Sequence, residues 1–338
     1  MVEVKKETAP AVTEALPKTE QPPRLKSFSL AHISDLHLTT LRDIKVSQLF
    51  NKRLLGYFSW RHKRRVVHSS EIIEALLSDL RITRPDHIAV TGDLTHLGLP
   101  HEFAEARHWL NLLGIPEQVT VIPGNHEAYA GRAWRKSCAM WAPYLRSDIN
   151  PDFSKTADFF PSLRIRGHVA LIGLCSARPS LPFLATGSLG RIQLTRFEEL
   201  LKTTGDAGLL RIILIHHPPV PGTIKWRKRL VDNQAFHDVL VRHGAELVLH
   251  GHTHASIFSG LTTPAGDIPV IGAPSASEFN PASGRCAKYY IYRISRTGSD
   301  WEVAMSVRGY VEGLGRFVAE TENTLHVPPP PGSPPRGP

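Results

Sequence analysis

Five times along this chain an apolar run stops and residue types able to hold a metal ion follow at once. The stops are Asp35-Leu36-His37, Gly92-Asp93, Gly124-Asn125-His126, His216-His217 and Gly251-His252-Thr253-His254. Apolar runs that alternate with helical patterns argue for βα units and a parallel sheet. In such sheets ligands bind where the carboxyl ends of the strands open out. Residues i and i+2 of an extended segment share a face, so Asp35 with His37, and His252 with His254, can each aim two donors one way. Glycines at 92, 124 and 251 let the backbone turn just before the donor.

The apolar pattern predicts strands over 27–34, 87–91, 118–123, 163–175 (two strands, turning near Gly167-His168), 209–215, 246–250, 256–261, 268–271, 289–295 and 301–310. It predicts helices over 70–82, 102–113, 191–202 and 232–243. The front half reads as βα units and the back half as β-rich hairpins, giving an α/β domain over 27–318 with large, partly mixed sheets. Residues 1–26 mix nine charges and four prolines with no apolar period, and are expected to be a solvated tail rather than a secretory signal. Residues 319–338 are expected to be a second tail, its last twelve residues holding seven prolines.

Three cysteines, at 138, 175 and 286, are too few for a disulfide scaffold or a zinc ribbon, and make a reducing, cytoplasmic setting the default. No Gly-Lys dipeptide and no Gly-x-Ser-x-Gly elbow occurs, which leaves neither a Walker A loop nor a serine nucleophile of that type.

The donor set is Asp, His and Asn without Cys, which suits Mn, Fe or Zn rather than a thiolate site. Asp35, His37, Asp93, Asn125, His216, His252 and His254 are seven candidates, too many for one ion. Two ions roughly 3.5–4 Å apart can use seven donors if one carboxylate bridges them, and such a pair holds a hydroxide at neutral pH. Taken in order, Asp35-x-His37, Gly92-Asp93, Gly124-Asn125-His126, His216 and Gly251-His252-x-His254 resemble the signature of the calcineurin-like metallophosphoesterases, over roughly residues 28–275. The resemblance implies a four-layer α-β-β-α sandwich, with two mixed central sheets and a dimetal site at the strand ends. It implies that Asp35, His37 and His254 hold one metal, that Asn125, His216 and His252 hold the other, and that Asp93 bridges. It makes His126 a catalytic residue, touching the scissile phosphate and helping to protonate the leaving oxygen. His217 is expected to support the ligands from behind, and His96 and His250 lie near enough to do the same. His32, His87, His168, His243 and His326 read as ordinary structural histidines, and Glu127 carries no catalytic signal.

The net charge of +9 is unevenly spread. Residues 42–65 hold eight Lys/Arg against one Asp, residues 225–229 (Lys-Trp-Arg-Lys-Arg) add four more, and the rest is slightly acidic. Residues 38–65 form a long connection after the first metal motif, with Val46, Leu49, Phe50, Leu54, Tyr57, Phe58 and Trp60 among basic residues. This predicts a short helical lid, with Arg53 intruding on its apolar side and Gly56 weakening the helix. Basic residues beside aromatics suit an anionic membrane surface, so 42–65 is also expected to make peripheral contact with one. Lys225, Arg227, Lys228 and Arg229 are expected at the rim of the site, gripping a further phosphate or a nucleotide. Two short basic segments do not make the continuous groove of a nucleic-acid binder. The reading is a metal-dependent phosphoesterase, first a phosphodiesterase of the bacterial cyclic-nucleotide type. The alternatives are a pyrophosphatase acting on a lipid-linked nucleotide such as UDP-diacylglucosamine, and a non-catalytic binding module, which the full set of ligand types disfavours.

Overall fold

A computed structural model describes residues 27–38, 41, 44, 49, 52–60, 70–129, 134–148, 159–297 and 300–328. The first half contains β1 (Phe28–Ile33), α1 (Lys52–Ser59), α2 (Ser70–Thr83), β2 (His87–Val90), α3 (Pro100–Leu113), β3 (Val119–Val121), α4 (Trp134–Cys138) and α5 (Ala142–Leu145). It continues with β4 (Ser162–Arg166), β5 (Val169–Gly173), α6 (Arg191–Asp206), β6 (Leu210–Leu214), α7 (Asn233–His243), β7 (Leu247–His250), β8 (Ile257–Thr263) and β9 (Gly266–Gly272). Three long strands close it: β10 (Lys288–Thr297), β11 (Asp300–Val311) and β12 (Arg316–Leu325).

The described strands form two six-stranded sheets, ordered β12-β11-β10-β1-β2-β3 and β4-β5-β6-β7-β9-β8. Both are mixed. In the first, β1, β2 and β3 run parallel while β10 to β12 are antiparallel. In the second, β5, β6, β7 and β9 run parallel between antiparallel edges. Side chains alternate across each strand. Leu30 of β1 and Leu210, Ile212 and Leu214 of β6 enter one core between the two sheets. Ala31 and Ile33 face a second core under α2 and α3, where Ile72, Ile73, Leu76, Phe103 and Leu110 meet them. Ile213 and Ile215 face a third, against Phe197 of α6 and Phe236 of α7. Three cores separate four layers, helix, sheet, sheet, helix, as the signature implied. Strands covered on both faces are apolar almost throughout, which is why they read as runs rather than as alternation. Each aliphatic side chain so buried contributes about 1.5–3 kcal/mol.

The domain end expected at 318 needs correction, because it falls inside β12, which pairs with β11 from Val311↔Arg316 to Val303↔Leu325. Beyond Phe317 this edge strand is mostly exposed, so its place is set by backbone pairing and leaves little hydrophobic pattern to read. The tail expected over 1–26, and 329–338 of the second tail, lie outside the described residues.

Of the lid, 39–40, 42–43, 45–48, 50–51 and 61–65 lie outside the described residues, and with them most of its basic residues. The helix expected there is α1. Leu41, Ile44, Leu49, Tyr57 and Trp60 pack on Leu97, Leu99 and Tyr129, so these lid residues turn inward, while Leu54 stays exposed. Arg53 intrudes on that side because its guanidinium donates to the carbonyls of Leu97 (3.1 Å) and Gly98 (2.9 Å). Gly56 is a contact rather than a defect, since a Cβ there would collide with the Tyr129 ring. No described helix is long and apolar enough to cross a membrane.

Candidate metal centre

All five donor segments meet at one end of the two sheets. The loops after β1 and β2 continue their strands' parallel pairing, with Asp35 N–H on Gly92 O (3.0 Å) and His37 N–H on Asp93 O (3.0 Å). Across the sandwich, His252 N–H donates to Asp35 Oδ2 (2.9 Å) and His216 Nδ1–H to Thr91 O (2.7 Å). These two bonds tie the second sheet's loops to the first.

Three overlapping donor sets result. One atom each from Asp35, His37 and His254 lies within 4.8 Å of the others; the same holds for Asp93, His216 and His252, and for His37, Asp93 and His126. Asn125 joins the second set, its Oδ1 3.2 Å from His216 Nε2. Asp93 Oδ2 lies 3.3 Å from His216 Nε2, so Asp93 stands between the groups. All seven predicted ligands are therefore brought together, with His126 beside them.

The rings are held from behind. His37 Nδ1 meets Thr95 O (2.9 Å), His126 Nδ1 meets His96 O (2.5 Å) and His254 Nδ1 meets Glu278 Oε2 (2.6 Å). Fixing Nδ1 this way leaves Nε2 facing the centre, the usual support for a ligating histidine. His96 also stacks on His37, ring centroids 5.1 Å apart. His217 bonds Ser176 Oγ (2.7 Å) and Ala185 O (3.2 Å), and its ring packs 4.6 Å from that of His252. The His250 ring meets the neighbouring Gly251 O (3.0 Å) through Nδ1. His32 and His87 are buried on Thr91 and Thr120 hydroxyls, as structural histidines would be.

The backbone is strained at these positions. Asp35 (φ +50°), His37 (+44°), Asp93 (+56°), His252 (+71°) and His254 (+54°) all occupy the left-handed region. Each such residue costs about 1–3 kcal/mol, and such costs cluster at functional sites. Gly124 has no room for a Cβ, because its backbone runs against the Asp93 carboxylate.

Electrostatics favour a bound cation. Burial alone would lower the pKa of His216, but the Asp93 carboxylate overrides it and holds it at about 9. His254 is held at about 9 by Asp35 in the same way. Burial would raise Asp93, yet His216 and His126 keep it well below the usual carboxylate range. Two buried atoms at the centre, Asp35 Oδ1 and His252 Nε2, have no hydrogen-bond partner among the described residues. Buried polar atoms without partners are rare and call for a ligand. The donor set, the strain and these two atoms fit a pair of borderline cations.

The centre opens into a cleft of about 350 Å³ lined by residues that include Trp60, Tyr129, Phe183, Arg227 and Lys228. Lys225 and Arg229, expected at the same rim, do not line it. Sequence reasoning missed two residues. Glu278 braces His254 from 24 positions away, a separation that carries no signal. Glu127, read as silent, is fully buried and accepts four backbone N–H groups of the metal loops.

The family model described as calcineurin-like phosphoesterase matches residues 28–256. A probable cyclic nucleotide phosphodiesterase of Synechococcus sp. is 27% identical over 197 residues, 57% of this chain and 68% of that one. A glycerophosphodiester phosphodiesterase of Enterobacter lignolyticus is 28% identical over 198 residues, 57% of each chain, so the match spans just over half of that relative. Among solved structures, a dimetal phosphatase of Danio rerio shares the fold at 14% identity and a TM-score of 0.56, covering 86% of this chain and 98% of that one.

Proposed function

The chain belongs to the calcineurin-like phosphoesterases, hydrolases of phosphate esters, and on that premise we propose that it is a metal-dependent phosphodiesterase. The observation that carries this reading is the convergence of the two donor triads, Asp35–His37–His254 and Asp93–His216–His252. In this proposal the first triad holds one ion, Asn125, His216 and His252 hold the other, and Asp93 is shared. Bound there, an ion pair would supply Lewis acidity toward a phosphoryl oxygen and lower the pKa of water.

The chain's own residues do the rest. His126, its Nδ1 fixed on His96 O, aims Nε2 into the cleft and delivers a proton to the leaving oxygen. Water adds to phosphorus and one ester bond breaks, so an open diester gives a monoester and an alcohol, and a cyclic one a single monoester that carries the freed hydroxyl. Arg227 and Lys228 attract the anionic substrate, Trp60 and Tyr129 supply aromatic walls that can stack on a base, and Phe183 stands at the mouth.

A cyclic nucleotide is the substrate we favour, because aromatic walls and two cations suit a base and a phosphodiester, and the Synechococcus relative carries that description. A second reading, a lipid-linked nucleotide, draws on exposed apolar side chains beside the cleft. A Mn²⁺-supplemented panel of phosphomonoester, bis-aryl diester, cyclic nucleotide and UDP-lipid separates these. The proposal expects diester turnover with the cyclic nucleotide best, and turnover of the monoester alone would overturn it.

A further inference from the structure

Beside the cleft mouth two turns lie side by side. The turn over Leu181–Leu184 closes with Leu184 N–H on Leu181 O (3.0 Å), and the helical turn Trp226–Lys228 with Lys228 N–H on Lys225 O (2.8 Å). They are joined by Ala185 N–H on Arg227 O (2.9 Å) and Gly187 N–H on Arg229 O (3.1 Å). At their tips Leu181, Phe183 and Trp226 are 72%, 78% and 68% exposed, among the most exposed large apolar side chains described. Phe183 stands there on a left-handed backbone (φ +65°). Hydrophobic burial explains none of this, and an exposed apolar cluster next to a site marks an interaction surface.

Its surroundings select the partner. Residues 177–190 and 218–231 contain Arg178, Lys225, Arg227, Lys228 and Arg229, 225–229 are all exposed, and the carboxylate that follows, Asp232, is taken up by the Ser188 hydroxyl and the Leu189 and Gly190 N–H groups. A water-soluble protein partner of ordinary composition would not require so one-sided a charge. Exposed Trp, Phe and Leu beside clustered Lys and Arg are what an anionic lipid interface takes up, the apolar tips entering the acyl boundary and the cations facing phosphate headgroups. The described part of the lid offers no such cluster, because Leu41, Ile44, Leu49, Tyr57 and Trp60 pack inward beside Leu97 and Leu99 and only Leu54 of its described side chains stands among the exposed large apolar ones.

We propose that the Leu181–Phe183 and Lys225–Arg229 turns form a docking surface for anionic phospholipid membranes, which sets the cleft mouth against the bilayer. Phe183, Arg227 and Lys228 belong to both the surface and the cleft wall, so docking would hold the metal centre close to the bilayer surface. The surface rests on the phosphodiesterase reading only for its purpose, since docking needs neither metal nor turnover.

The test is co-sedimentation of the full chain with phosphatidylcholine vesicles and with vesicles containing phosphatidylglycerol. Binding is expected to the second kind alone and to weaken as salt rises. Leu181→Ser with Trp226→Ser should weaken it about tenfold or more. The thermal midpoint and turnover of a soluble bis-aryl diester should stay unchanged. A second pair, Lys225→Glu with Arg229→Glu, should abolish binding to the anionic vesicles. Wild-type chain that pellets with neither vesicle or equally with both, apolar variants that bind like wild type with an unchanged midpoint, or a wild-type dimer that Leu181→Ser/Trp226→Ser makes monomeric would each overturn the proposal. Loss of diester turnover with vesicle binding intact would count against the phosphodiesterase reading and leave the docking surface standing.

Discussion

Glu127 holds the loop that carries Asp93: its Oε2 accepts the Asp93 N–H (3.0 Å) and the Gly124 N–H (2.6 Å), and its Oε1 accepts those of Leu94 (2.8 Å) and Thr95 (2.9 Å). One buried carboxylate thus fixes two loops whose side chains face the metals. Glu127→Ala takes the acceptor from four buried backbone N–H groups and the Thr95 hydroxyl and should destabilise the chain by about 3–5 kcal/mol. Glu127→Gln keeps one acceptor and should fall between. Thermal melts with metal analysis check this, and Ala at wild-type stability would show that the loops hold themselves.

His126 should affect chemistry without emptying the centre. Its backbone N–H, not its ring, bonds Asp93 Oδ1 (2.8 Å), so His126→Asn keeps that bond. Turnover should fall by about 10²–10⁴-fold, the usual worth of a positioned acid. Metal content should persist. Loss of metal in parallel with activity would make His126 a ligand instead.

Metal and protons compete for His216 and His254. Without metal both rings are held at about 9 by Asp93 and Asp35, above the ordinary 6.5, despite burial. Their protonation therefore stabilises the metal-free chain fully below 6.5, and that contribution is lost as pH rises toward 9. Ligation needs the neutral rings. Loading near pH 7.5 should release protons, and the gap in thermal midpoint between loaded and metal-free chain should widen from pH 6.5 to 9. His32, His87 and His250, pushed down to about 3, 3 and 4 mainly by burial, act only below this window. A gap that narrows over this range would contradict the assignment.

Far from the centre, Arg211 and Glu246 form a buried pair, Nη2 to Oε1 at 2.6 Å and Nε to Oε2 at 3.0 Å. Arg211 lies near the start of β6, opposite the strand end that leads to His216. Arg211→Met leaves a buried carboxylate unpaired and should cost about 3–5 kcal/mol. Turnover per folded molecule at low temperature should match wild type; a specific loss there would couple the two ends of β6.

Much of the centre was legible because each donor follows an apolar strand directly, and parallel strands must bring their carboxyl ends together. Asp35, His37 and Asp93 could be read for that reason. Glu127 could not, because its task is to accept backbone hydrogen bonds, which leaves no residue pattern. Arg53 looked misplaced on the lid until its carbonyl partners were seen. β12 looked like a tail because an exposed edge strand is specified by its neighbour's backbone. The exposure of Phe183 and Trp226 is a property of the fold, and their spacing in sequence, 43 positions, says nothing of the turn-to-turn pairing that joins them.

The central claim is that seven side chains form one cage for two ions, with Asp93 common to both. Equilibrium dialysis of the purified chain against Mn²⁺, wild type beside Asp93→Ala, tests it most directly. The account predicts two ions per wild-type chain and fewer than one in the variant. Wild-type chain that takes up no ion at saturating Mn²⁺, or a variant that still holds two, would contradict it.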